Sequence, residues 1–282
     1  SIREAFQVEL PLRALFEAPT VERLAERVDA LLAEHRGPQA PPFVPVPRDG
    51  AVPLSLAQQR LWFIDQLEPE SAAYNIPSLL RLRGPLDAGL LERVLTEVVA
   101  RHETLRTRFP AVGGAPVQVI DPAGPARIAR ADLSHLDGDA RESALRALAT
   151  DEALRPFRLA DGPLLRVTLV RLAEDEHALL FVIHHVISDG WSTGVLVREV
   201  SELYTAFSEG RVPSLPALPV QYADFAAWQR AWLDDGVLDA QLEWWRAQLA
   251  GAPPVLELPA DFPRPPVQSE RGAAMPFALD AE

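Results

Sequence analysis

The sequence predicts an α/β fold, an α+β sandwich, preceded by a short helical segment. Three observations carry this. Apolar, β-branched runs alternate with amphipathic helical patterns; two such runs near the middle of the chain are joined by a hairpin signal; and a proline-rich break sets the first residues apart.

Taken in order, residues 1–36 read as helical: Val21, Leu24, Val28 and Leu31-Leu32 recur at helical spacing, with Thr20 as N-cap after Pro19. Five prolines between Gly37 and Pro47 then give a semi-rigid extended linker, placed at 38–51. From Val52 a larger domain is expected to run to about residue 230. Its first helix starts after Ser55, a capping residue, and runs to Leu67. Leu79–Leu82 reads as a strand and Asp87–His102 as a helix, with Leu90, Leu91, Val94, Leu95, Val98 and Val99 on its apolar side. Thr104–Phe109 and Val117–Ile120 are candidate strands, and Glu142–Leu154 a further helix. Leu164–Leu172 and His177–His184 flank Ala173-Glu174-Asp175-Glu176 as a hairpin. After Gly190 a helix runs to about Ser208, where Gly210 is the C-cap. Helices holding Tyr222–Trp232 and Ala240–Leu249 follow. Residues 231–282 end in a loop, Gly251–Pro266, with six prolines.

A formal net charge of −13 argues against nucleic acid, which needs a basic face. There is no lysine, so arginine supplies every fixed cation. With no cysteine, a disulfide framework, a thiolate metal site and a cysteine nucleophile are excluded. No apolar run approaches the roughly 20 residues of a bilayer span. Ser1–Phe6 lacks the basic flank and apolar stretch of a signal peptide, so a cytoplasmic location is expected. Neither end looks like a natural terminus: Met275 is the only methionine.

The residues with chemical potential cluster at His184-His185-Val186-Ile187-Ser188-Asp189-Gly190. A buried-type strand ends here in two histidines, and neighbours in a strand point to opposite faces. One imidazole can be tied into the fold while the other faces a cavity. Histidine transfers protons near neutral pH. Asp189 sits just before the next helix, Gly190 permits close approach, and the helix start offers free N–H groups. These parts suit acyl transfer from a thioester or ester. The residues alone equally allow two core or metal-linked histidines.

His184–Gly190 with Trp191-Ser192 resembles the core motif of condensation domains of nonribosomal peptide synthetases. Three further segments resemble that family's other N-terminal motifs, in order: Ser55–Trp62, Arg101–Phe109 and Tyr222–Trp228. The resemblance covers roughly residues 50–282. Residues 1–37, with Ile2–Phe6, Leu10-Pro11-Leu12 and Leu15–Thr20, resemble the second half of a peptidyl carrier domain. The phosphopantetheine serine of that domain would lie upstream of residue 1, and Ser1 lacks its setting.

The resemblance implies a chloramphenicol-acetyltransferase-like lobe, one of two that enclose a tunnel. Substrates would arrive on 4′-phosphopantetheine arms carried by partner domains: an upstream donor carrier, and a downstream acceptor carrier with its adenylation domain. The acceptor's amine would attack the donor's thioester. His185 is implied as the catalytic residue, by proton transfer or by orienting the amine. His184 and Asp189 are implied to hold the loop, with Asp189 in a buried ion pair with Arg60. Gly190, Trp191 and Ser192 are implied to line the tunnel. Arg101–Phe109, Tyr222, Asp224, Trp228 and Trp244-Trp245 read mainly as architecture.

The retained histidines separate the chain from heterocyclising relatives, which carry aspartates there. Trp191-Ser192 in place of Ser-Trp separates it from epimerising ones, and Ala72–Pro77 favours a type joining two L-residues. The second lobe's motifs are absent, so the chain as given is expected to be inactive. A non-catalytic carrier-docking module and a stand-alone acetyltransferase-like enzyme are the alternatives. The carrier-like residues and prolines of 1–47 argue against the last.

Overall fold

A computed structural model describes residues 12–34, 40–48, 50–259, 261–263, 275 and 277–278. The carrier-like residues Ile2–Phe6 and Leu10-Pro11 lie outside these. The described chain forms two units, each with its own contacts.

The smaller unit holds the described part of residues 1–43 together with Trp228–Gln248. Helices α1 (Leu12–Glu17) and α2 (Val21–Glu34) come first. The Thr20 hydroxyl accepts from the Arg23 N–H at 3.3 Å, so the expected cap is formed. Pro41 and Phe43 are held by Trp228: its Nε1 donates to the Pro41 carbonyl at 2.7 Å, and the Phe43 ring lies 5.8 Å away.

The larger unit spans residues 44–227 with 249–282. Helix α3 (Leu56–Leu67) starts on a capping box. The Ser55 hydroxyl accepts from the Gln58 N–H, and the Gln58 side chain accepts from the Ser55 N–H. Strand β1 (Asn75–Arg83) is longer at both ends than expected. Helix α4 (Ala88–Arg101) is capped by Asp87, which accepts from the Gly89 and Leu90 N–H groups. It buries Leu91, Val94, Leu95 and Val98 at the expected spacing.

The first half of the expected strand Thr104–Phe109 is a 3₁₀ turn, Glu103–Arg106. Side chains hold that turn: the Thr107 hydroxyl donates to the Glu103 carbonyl at 2.7 Å, and Thr104 donates to the Ile187 carbonyl at 3.1 Å. Only β2 (Thr107–Arg108) is extended. β3 (Ala111–Val112) and β4 (Ala115–Pro116) make a small hairpin, and β5 (Val119–Ile120) pairs β2 antiparallel.

The main sheet is completed by β6 (Ile128–Asp132), helix α5 (Gly138–Leu154), and the hairpin β7 (Leu165–Ala173) and β8 (Glu176–His184). Its order is β1-β8-β7-β6. β8 runs antiparallel to both neighbours, and β6 runs parallel to β7. Strand alternation sends Leu179 with Val167 and Leu169 towards α4, and Ala178 with Val170 and Leu172 towards Leu145 of α5. Helix α6 (Gly190–Ser208) packs beside α4, and Gly210, at φ 69°, ends it as expected.

Helix α7 (Tyr222–Trp232) follows, then a π-helical stretch at Leu233–Val237 and α8 (Leu238–Gln248). The unit boundary falls at Ala227, inside α7, rather than at residue 230. The linker placed at 38–51 also differs, because its second half is fastened to the larger unit. The Val46 N–H and the Arg48 guanidinium donate to the Asp224 carboxylate at 2.8 and 2.7 Å, and Arg48 also donates to Glu103 at 2.9 Å. Two prolines keep that segment extended, and a buried carboxylate supplies the anchor. Among the described residues no helix is long and apolar enough to cross a membrane.

Candidate functional site

The site is built where β8 ends and α6 begins. Asn75 of β1 pairs with His184 of β8, so Tyr74, one residue earlier, lies beside the histidine pair. The His185 N–H donates to the Tyr74 carbonyl at 2.8 Å, carrying the ladder one step past the strand.

The two imidazoles part as strand alternation requires. His184 is buried at 5% exposure, between Tyr74 and the edge-on ring of Phe157. Its Nδ1 accepts the Val186 N–H at 3.1 Å. Burial, with a smaller effect from the neighbouring His185, pushes its pKa down to about 4. It is therefore a neutral structural ring at neutral pH.

His185 is exposed and lines an open cavity of about 460 Å³. Its Nδ1 lies 2.7 Å from the Ser188 carbonyl oxygen. A carbonyl only accepts, so Nδ1 carries the hydrogen, and the neutral ring keeps its lone pair on Nε2. Tyr74 stacks on this ring at 6.3 Å between centroids and 23° between planes. The ring is held at one nitrogen and one face, and among the described residues Nε2 has no partner.

Asp189 is the N-cap of α6. Its carboxylate accepts from the Ser192 N–H at 2.8 Å and the Ser192 hydroxyl at 2.6 Å. Those bonds, the hydroxyl's first, hold its pKa below the usual carboxylate range. The implied buried pair with Arg60 is not made. Among the described residues Arg60 forms no ion pair, although both residues line the cavity, and both are exposed. The physical reason is local: Ser192 offers two donors one helical turn away, and an ion pair between two exposed groups gains little over their contacts with water.

Ser192 lines the cavity, whereas Trp191 is 83% exposed and does not. A Cβ added at Gly190 would meet nothing within 4 Å among the described residues. Packing does not demand glycine there, and the space above it is open.

The motif resembling the family's second one is architectural. Arg101 and His102 both donate to or contact the buried Glu199 carboxylate, at 3.1 and 2.6 Å, joining α4 to α6. Sequence reasoning missed Tyr74, Thr104 and Tyr222 as walls of the His185 cavity. Tyr222 and Thr104 come from two of the recognised motifs, and Tyr222 lies 3.0 Å from the Ser55 hydroxyl. Their convergence was the available signal. Gln58, beyond its cap, donates to the Val186 carbonyl at 3.4 Å, bracing the histidine loop from α3.

Comparison with known proteins places this geometry in a family. The condensation domain model matches residues 48–282, and the chain belongs to that family. The fold is the chloramphenicol-acetyltransferase-like α/β lobe expected. A linear gramicidin synthase from Brevibacillus parabrevis is 48% identical over 99% of the chain, which spans 4% of that protein. Phosphinothricin tripeptide synthetase PhsB from Streptomyces viridochromogenes is 42% identical over 99% of the chain and 23% of its own length. Among solved structures, the X-domain from teicoplanin biosynthesis, in complex with OxyB, matches with TM-score 0.71 and 33% identity, over 81% of this chain and 50% of that one. The first condensation domain of the calcium-dependent antibiotic synthetase, with a substrate analogue, matches with TM-score 0.64 and 26% identity, over 73% and 49%.

Proposed function

We propose that the chain is the first lobe of a condensation domain in a modular nonribosomal peptide synthetase, joining a donor acyl or peptidyl thioester to the amine of an acceptor aminoacyl thioester. The observation that carries the reading is the 2.7 Å contact from His185 Nδ1 to the Ser188 carbonyl, which leaves Nε2 to accept a proton. The amine nitrogen bonds to the thioester carbonyl carbon, and the C–S bond breaks. The nitrogen's proton passes by way of Nε2 to the departing sulfur, which leaves as a thiol. Because a free amine needs little activation, much of His185's contribution is orientation.

Both substrates would reach the cavity on 4′-phosphopantetheine arms of upstream and downstream carrier domains, in the cytoplasm. The open space over Gly190 suits such an arm. Residues 1–37 are read as the end of the upstream carrier domain. In support, the linear gramicidin synthase matches across 99% of the chain while the condensation model begins at residue 48. We assign the type that joins two L-residues. We read the His185 cavity as one side of a two-lobed tunnel, in which catalysis needs the second lobe as well.

The test is His185→Ala in the intact synthetase, following transfer of the donor chain to the acceptor carrier by mass spectrometry. A loss of about 10²-fold or more is expected; full activity would remove the assignment. A second reading, a docking module, is favoured by the X-domain likeness, since that domain was solved with a bound partner. It requires wild-type and His185→Ala proteins to bind partners alike and neither to form peptide.

A further inference from the structure

A groove of about 1020 Å³ is lined by β2, β6, β7 and the loop after α5, and it shares no lining residue with the His185 cavity. Its lining carries six arginines, Arg106, Arg108, Arg127, Arg155, Arg158 and Arg166, against two carboxylates, Asp121 and Asp161. In a chain of net charge −13 this is a local reversal of sign. The deeper lining is apolar, with Leu105 and Val167 buried and Leu165 beside them.

The positive charge is only partly balanced. The Asp121 carboxylate accepts from Arg108 at 3.1 Å, and its backbone carbonyl accepts from Arg106 at 2.6 Å. Glu152 of α5 serves two arginines at once, accepting from Arg155 at 2.6 Å and from Arg166 at 3.2 Å. Arg158 stands 3.8 Å from Asp161. Among the described residues Arg127 has no ion-pair partner, and Nε of Arg106 is buried without a hydrogen-bond partner. β6 runs parallel to β7 with Ile128 opposite Val167, so Arg127 falls opposite Arg166 one position earlier. Like charges set opposite each other repel. Burial, and then the neighbouring Arg155 charge, lowers the pKa of Arg166, so this cation is under-compensated. An anion between the two strand entrances would relieve both.

Guanidinium forks match phosphate oxygens bidentately, which a point charge does not. We propose that this groove binds a small organic phosphate ester, with the phosphate between Arg127 and Arg166 and the organic part against Leu165 and Val167. The volume is that of a small-molecule site. A bare inorganic anion would satisfy the arginines but leave the apolar lining in water. Because the groove shares no residue with the His185 cavity, its occupant sits apart from the reacting groups, and the site stands independently of the acyl-transfer reading.

Phenyl phosphate and inorganic phosphate serve as probes, with binding to the full 282-residue chain measured by calorimetry. Phenyl phosphate should bind about fivefold tighter or more, because its ring removes apolar area from water. Its affinity should fall as salt is added. Arg127→Gln should weaken it about tenfold, the worth of one charge-assisted hydrogen bond. That variant breaks no ion pair among the described residues, so it keeps the fold. Arg158→Gln, whose side chain is 81% exposed, should weaken binding about threefold and decides the matter if Arg127→Gln proves unfolded by circular dichroism. Arg211→Gln removes the same charge beyond the end of α6 and should leave affinity within about twofold. Equal affinity for the two probes, equal losses in Arg127→Gln and Arg211→Gln, or unchanged affinity in a folded Arg127→Gln would overturn the proposal. Binding of a poly-glutamate peptide without binding of phenyl phosphate would also overturn it, and would give the groove to an acidic protein partner.

Discussion

Acid should weaken the larger unit in a part that traces to His184. Its ring is enclosed by Tyr74 and Phe157, and its Nδ1 already accepts the Val186 N–H. A second proton would have to displace that bond and place a charge in apolar surroundings. In the unfolded chain the ring titrates at the ordinary 6.5, and in the fold at about 4. Between those values the unfolded chain binds the proton and the fold does not. Stability is therefore intact above about pH 6.5 and falls as the pH drops towards 4. The gap is worth about 3 kcal/mol at 1.36 kcal/mol per pKa unit, a large share of the stability of an ordinary domain.

The perturbation is His184→Asn, whose side-chain oxygen can accept the Val186 N–H but which does not titrate. Urea unfolding followed by circular dichroism at pH 7 and pH 4 gives both stabilities. Asp189 and Asp224, both held below the usual carboxylate range, titrate alike in the two proteins and cancel in the difference. The variant is less stable at pH 7 because the smaller side chain leaves a void. By pH 4 its deficit should shrink by about 3 kcal/mol. A deficit that stays constant between the two pH values would refute the reasoning.

Asp189→Ala removes the α6 cap and should cost about 1 kcal/mol in urea unfolding, because the lost bonds are local and exposed. Arg60→Ala should cost less than about 0.5 kcal/mol, and a double-mutant cycle with Asp189→Ala should show coupling below that same figure; several kcal/mol would restore the ion pair. Asp224→Ala strips Arg48, Val46 and Gln221 of their shared acceptor and should cost about 3 kcal/mol. Limited proteolysis should then cut near Val46 faster than in wild type.

Features governed by short-range chemistry were legible in the sequence. The caps at Thr20 and Ser55, the hairpin joining β7 to β8 and the end of α6 at Gly210 all depend on residues within a turn of one another. What the sequence hid depends on distant partners. β6 reads Ile-Ala-Arg-Ala-Asp, too short and polar to announce a strand, and it exists because β7 offers it a parallel edge. The 3₁₀ turn at Glu103–Arg106 needs the Ile187 carbonyl, over 80 positions away, as acceptor for Thr104. At the site, the division of labour between His184 and His185 followed from strand alternation. The Asp189–Arg60 pair rested on resemblance alone. Ser192, only three residues on from Asp189, is the local donor that occupies the carboxylate.

The absence of that ion pair changes how the site can hold its geometry. With no buried charge pair to fix the loop, position comes from a chain of neutral contacts. His184 is locked under Val186, Gln58 reaches the Val186 carbonyl, Thr104 reaches the Ile187 carbonyl, and the Ser188 carbonyl fixes His185. Each residue from 186 to 188 is thus gripped in turn through its backbone, by α3, by the turn after α4, or by the histidines themselves. These bonds fix the backbone carbonyl that holds Nδ1 of His185, while the Asp189 carboxylate lines the same cavity and interacts electrostatically with the ring. The exposed Asp189, occupied by Ser192, serves the start of α6, and His185 is positioned by the backbone of the loop rather than by that carboxylate.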